Sequence, residues 1–146
     1  QFTTTTFGVD RRHPRDALTQ NLQLNRAFSK PQFDAAVIDG DCFKVDPTAL
    51  GLFDIYLYDG EHTYDAHYRA FTHFAPAMQD TFIAVVDDYR NLPEDGTHQA
   101  TEAAFKDLGW TVHQDWFLWE PCDGTDAGRQ RDGWWNGLRV SVVSKK

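Results

Sequence analysis

Three short stretches of this 146-residue sequence end in acids: Asp39 and Asp41 after FDAAVI, Asp59 and Glu61 after FDIYLY, and Asp87 and Asp88 after TFIAVV. His62 stands beside the second group, and imidazole has the intrinsic pKa nearest neutral, which makes it a candidate proton acceptor. Carboxylates placed this way have two ordinary uses. Each can cap the helix that follows. Together, at the carboxyl ends of neighbouring strands, they can face one ligand crevice. Acid clusters at all three ends favour a site.

The elements that carry these acids are legible in the hydrophobic pattern. Residues 33–38, 53–58 and 81–86 are compact, β-rich and apolar on both faces, as expected for parallel strands covered by helices on each side. A loose helical stripe follows Pro14 through Ala17, Leu18, Leu22 and Leu24. Tyr64, Tyr68, Phe71, Ala75 and Met78 form a second stripe at helical spacing. Thr97 is expected to cap a third helix carrying Ala100, Ala104 and Leu108, with Gly109 as its stop. Residues 110–119 and 137–144 then read as two strands with no helix between them, joined by a glycine-bearing connection. The pattern predicts an α/β chain: one domain over residues 1–146, a partial doubly wound, Rossmann-like sheet, mostly parallel and finished by an antiparallel hairpin.

Bulk properties exclude several classes. The net charge is −8 and the basic residues are scattered, Arg11, Arg12 and Arg15 being the one local cluster, so no nucleic-acid footprint is expected. No apolar run approaches the roughly 20 residues that span a bilayer. The N-terminal residues lack the basic start and apolar core of a signal peptide, so a cytoplasmic protein without a membrane partner is expected. Cys42 and Cys122 read as two unrelated reduced thiols.

The segment Tyr58-Asp59-Gly60-Glu61-His62-Thr63-Tyr64, followed by a helical stripe and then Val85-Val86-Asp87-Asp88-Tyr89, resembles the D-G-[DE]-H-x-Y … V-D-D-Y pattern of class I S-adenosylmethionine-dependent methyltransferases of the macrocin type and, more distantly, the catechol type. The closing WWNGLRVSVVSK is similar to the last strand of bacterial members. The resemblance implies methyl transfer from S-adenosylmethionine to a small hydroxylated acceptor, assisted by Mg²⁺ or a similar divalent cation. It makes Asp59, Asp87 and Asp88 the candidate metal ligands, which suits the hard oxygen donors that Mg²⁺ prefers. A cation beside the acceptor hydroxyl makes its proton easier to remove. Glu61 takes the position of the relatives' general base, with His62 as the alternative. Asp41 and Cys42 fall where the relatives contact adenine, and Asp10 at the ribose-binding acid, although an ordinary surface turn explains Asp10 equally well. Trp116, Trp119, Trp134 and Trp135 are candidates for an aromatic acceptor wall.

The relatives' acid-x-G-x-G-x-G loop has no counterpart in the sequence. The resemblance therefore implies an N-terminally truncated domain whose central strand is missing. Two alternatives stay open: a catalytically silent, methyltransferase-like fragment acting as an assembly or binding module, and an unrelated doubly wound metal-binding protein. The missing strand also predicts either direct pairing of residues 33–38 with 53–58 or a homodimer joined through sheet edges.

Overall fold

The alternating apolar segment Phe53–Tyr58 forms β1, and its aromatic positions decide which side of it is covered. The computed structural model describes residues 38, 40–89, 96–118 and 137–145. The chain divides into two compact units, Gln1–Lys44 and Val45–Lys146. In the first, the described residues include one short 3-10 turn, Cys42–Lys44. The Asp41 carboxylate closes it by accepting from the Phe43 amide at 3.0 Å. The predicted strand 33–38, apart from Ile38, and the stripe following Pro14 lie outside the described residues.

In the second unit β1 is followed by α1 (Tyr64–Phe74), β2 (Met78–Val86), α2 (Thr97–Asp107), β3 (Thr111–Leu118) and β4 (Leu138–Ser144). The strand order is β1-β2-β4-β3. β1 and β2 are parallel, with Tyr56 opposite Ala84 and Tyr58 opposite Val86. β4 is antiparallel to both its neighbours and lies between β2 and β3. The expected parallel pair and closing antiparallel hairpin are both present.

Register assigns the faces, because side chains alternate along each strand. Tyr56, Tyr58, Phe82, Ala84, Val86, Ser141 and Val143 share the face that the helices cover. Phe71 of α1 sits fully buried there, edge-on to Tyr56 at 5.6 Å and to Phe105 of α2 at 4.9 Å. Ala70 and Ala100 are also fully buried, and such small side chains let the backbones approach closely. The opposite face carries Ile55, Leu57, Ile83, Val85, Val140 and Val142 with Trp116 and Leu118. Of these, Ile55 is 48% and Leu57 57% exposed. The expectation that residues 53–58 are buried on both faces is therefore corrected: both described helices lie on one side.

Two helix readings are corrected as well. The buried stripe of α1 is Ala66, His67, Ala70, Phe71 and Phe74. Tyr64 and Tyr68 instead stack on each other at 6.2 Å towards the outside, where Tyr68 donates to Asp107, and Met78 begins β2. The small alanines, not the tyrosines, set the helix against the sheet. Gly96, at φ 70°, is the N-cap of α2, and Thr97 is its first, buried residue.

One charged residue lies within the covered layer. Arg139 of β4 is 2% exposed, and its guanidinium donates to Asp115 of β3, to Glu102 of α2 and to the hydroxyl of Tyr89. It ties two strands, a helix and the segment after β2 together. Removing one partner of a buried ion pair costs about 3–5 kcal/mol, less where the remaining partner reaches water, as Glu102 does. Arg139→Met is expected to lower the stability of the unit by about 3 kcal/mol in urea unfolding, with Arg139→Lys restoring only part. A loss below about 1 kcal/mol would contradict this role for the network.

Candidate functional site

The site begins with the parallel register. Beyond the last paired residues, the Asp87 amide donates to the Tyr58 carbonyl at 3.0 Å, extending the β1–β2 pairing by one step. Asp59 therefore leaves the sheet in step with Asp87, with Asp88 one residue further on. After Asp59 the chain turns at once. The Tyr58 ring folds beneath Gly60, where an added Cβ would lie 2.7 Å from the ring. The Tyr58 hydroxyl donates to the Glu61 carbonyl at 3.3 Å. Thr63 then caps α1, its hydroxyl accepting from the Ala66 amide at 3.2 Å. Residues 59–62 are thus a short link with both ends held.

Asp88 has the one positive φ, 50°, of any non-glycine among the described residues. A left-handed backbone costs an L-residue on the order of 1–2 kcal/mol, and Asp is one of the types that tolerate it. Three contacts hold it. The Thr97 hydroxyl donates to the Asp88 carbonyl at 3.2 Å, the Tyr89 amide donates to Gly137 at 3.2 Å, and the Tyr89 ring is fixed by Arg139.

This backbone turns the Asp88 carboxylate towards His62, with Oδ2 2.6 Å from Nε2. Donor atoms of Asp59, His62 and Asp88 all lie within 4.8 Å of one another. Donors that share an ion at about 2.1 Å lie about 3–4.2 Å apart, so the set fits a divalent cation with small adjustments. Asp87 is not one of the three. Its half-buried carboxyl is pushed above the usual carboxylate range by burial, with the charges of Asp88 and Asp59 adding to the rise. Glu61 is exposed at the rim. Of the expected ligands and bases, the structure brings Asp59, Asp88 and His62 together.

The expected cofactor-binding residues belong to the other unit. Asp41 is exposed, bonded to the Phe43 amide and 3.7 Å from Lys44, and Cys42 is half-buried. Asp10, Trp119, Trp134 and Trp135 lie outside the described residues, and Trp116 lies on the open sheet face. His67 has a larger part than helix periodicity indicates. It is 1% exposed, edge-on to the Tyr58 ring at 4.8 Å and 6.5 Å from the His62 ring, with neither ring nitrogen hydrogen-bonded. Burial, helped by repulsion from His62, pushes its pKa down to about 4.

The four-stranded sheet ordered β1-β2-β4-β3 matches part of the fold of solved methyltransferase-like proteins. Solved structures bear out the fold. A caffeoyl-CoA O-methyltransferase-like protein from Staphylococcus aureus superposes with a TM-score of 0.54 at 15% identity, covering 99% of this chain and 64% of its own. An O-methyltransferase-like protein from Klebsiella pneumoniae gives 0.59 at 14% identity, covering 99% and 62%. A methyltransferase-like protein, SMU.776, solved with SAH gives 0.58 at 12% identity, covering 97% and 38%. The chain thus spans less than two thirds of the length of these neighbours. No protein-family model and no curated protein matches the sequence.

Two outcomes test this construction. Gly60→Ala places a methyl group 2.7 Å from the Tyr58 ring and forces apart the link that carries Asp59 and His62. It is expected to cost about 1–3 kcal/mol in thermal unfolding, as overpacking does, whereas an unchanged midpoint would contradict the packing. His67 is held neutral below its unfolded pKa of 6.5, so its contribution is fully present above that pH and is lost as the pH falls to about 4. The loss amounts to about 3 kcal/mol. A His67→Phe variant is expected to lack that part of the acid limb in urea midpoints measured from pH 7 to 4; an identical slope would contradict the assignment.

Proposed function

We propose that the chain carries the metal and acceptor side of an S-adenosylmethionine-dependent O-methyltransferase acting on a small hydroxylated substrate. The observation that carries this reading is the convergence of Asp59, His62 and Asp88 where two parallel strands end. The fold of the solved neighbours supports it, and the SAH bound to one of them supports the methyl donor.

The residues would act in simple ways. Asp59, His62 and Asp88 would hold the cation, which when bound supplies positive charge beside the acceptor oxygen and eases loss of its proton. Glu61 would take that proton, or His62 where it does not hold the cation. S-adenosylmethionine, when bound, would supply a methyl carbon for the acceptor oxygen to attack, with the carbon–sulfur electron pair leaving on sulfur. The half-buried Asp87 and the His67–Tyr58 wall limit water behind the site.

A second reading is a silent, methyltransferase-like binding module; the 146 residues contain no acid-x-G-x-G-x-G loop to hold the methyl donor. On this chain S-adenosylhomocysteine is accordingly expected to bind more weakly than about 1 µM, equivalent to about −8 kcal/mol. Transfer of labelled methyl from millimolar S-adenosylmethionine to vicinal-diol or catechol acceptors, with a divalent cation present, separates the two. The enzyme reading expects labelled ether that Asp88→Asn abolishes. Cation binding with no transfer at any donor concentration would favour the silent module.

A further inference from the structure

The roles open to His62 narrow once its direction is considered. Its Nε2 points at Asp88 Oδ2, 2.6 Å away, and with Asp59 the three donors fall within 4.8 Å. Bound to a cation through Nε2, the neutral ring keeps its proton on Nδ1 and has no lone pair left for the acceptor. Two neighbours of one ion at about 2.1 Å stand about 3 Å apart, so a cation entering here would take the place of the bridging proton and part the pair by about 0.4 Å. That is a side-chain adjustment within a link whose ends Tyr58 and Thr63 already hold.

We propose that His62 is a metal ligand and not the general base, and that the resulting one-nitrogen, two-carboxylate set selects a first-row transition ion over Mg²⁺. The inference rests on the metal reading above and deepens it. Mg²⁺ takes oxygen donors and keeps its waters, while imidazole nitrogen suits manganese-to-zinc ions, whose affinity for nitrogen sites rises along that series. The structure substitutes this nitrogen for the third oxygen that Asp87 would have provided, since Asp87 stands outside the set. Glu61, exposed at the rim, is then the remaining proton acceptor of the two.

The test reads the ligand atom directly, in the absence of donor and acceptor. Mn²⁺ is added to the full 146-residue chain, and its electron spin-echo envelope is examined for ¹⁴N coupling; Mg²⁺ is then titrated as competitor. The expected result is a single directly coupled ¹⁴N and Mn²⁺ affinity at least about 100-fold above that of Mg²⁺. His62→Gln removes the coupling and reduces the preference to below about 10-fold, while His67→Phe leaves both intact. The coupling is measured on the unsubstituted chain, so a variant that fails to fold does not obscure it. Bound Mn²⁺ without ¹⁴N coupling, coupling lost in His67→Phe, or equal competition by Mg²⁺ would overturn the inference and leave the metal reading standing. Failure of the unsubstituted chain to bind either ion would overturn both.

Discussion

The site depends on one constraint, the parallel register of β1 and β2. Tyr58 lies opposite Val86, and the Asp87 amide carries the ladder one bond further to the Tyr58 carbonyl. A slip of one residue would reverse every side chain of β1. Tyr56 and Tyr58 would leave the covered face, and Asp59 would be displaced by one position relative to Asp87 and Asp88. The aromatic contacts of Tyr56 with Phe71 and Phe74 make that slip costly, so core packing and site geometry are fixed by the same pairing.

The second support lies further off. Asp88 occupies a backbone conformation that it does not favour, and it stays there because the segment after it is anchored. Tyr89 is buried at 2% exposure and raised in pKa by that burial, and its hydroxyl donates to Glu102 while accepting from Arg139. Local strain at a site is commonly offset in this way by packing elsewhere. Arg139 thus links the far pair of strands to the acid that faces His62.

Much of this was legible in the residues. The bounds of β1 follow from five apolar side chains among its six residues and the Asp-Gly turn after them, and the hairpin follows from two strand patterns with no helix between. The acids at the ends of β1 and β2 were readable from spacing and resemblance, with Asp59, Asp87 and Asp88 as the expected set; the grouping of His62 with Asp59 and Asp88 was not. What escaped depends on the third dimension. Periodicity ranks Tyr64 and Tyr68 as core because they are large, yet Ala66 and Ala70 face the sheet. His67 falls on that buried stripe, and a lone histidine offers no sequence cue that its nitrogens will go without partners. Arg139 did carry a signal: a charge within the apolar run LRVSVVS marks a buried pairing. The left-handed φ of Asp88, beside the grouping with His62, is specified by no residue pattern.

The central claim is that the ends of β1 and β2 form one cation site from Asp59, His62 and Asp88. Paramagnetic broadening by substoichiometric Mn²⁺ tests it most directly, read amide by amide in a ¹H–¹⁵N spectrum. The account predicts that residues 59–62 and 87–89 broaden together at the lowest Mn²⁺ addition, before Asp80 or Asp107, and that Asp88→Asn abolishes the effect. Broadening spread evenly over the acidic surface, or centred away from these two segments, would contradict it.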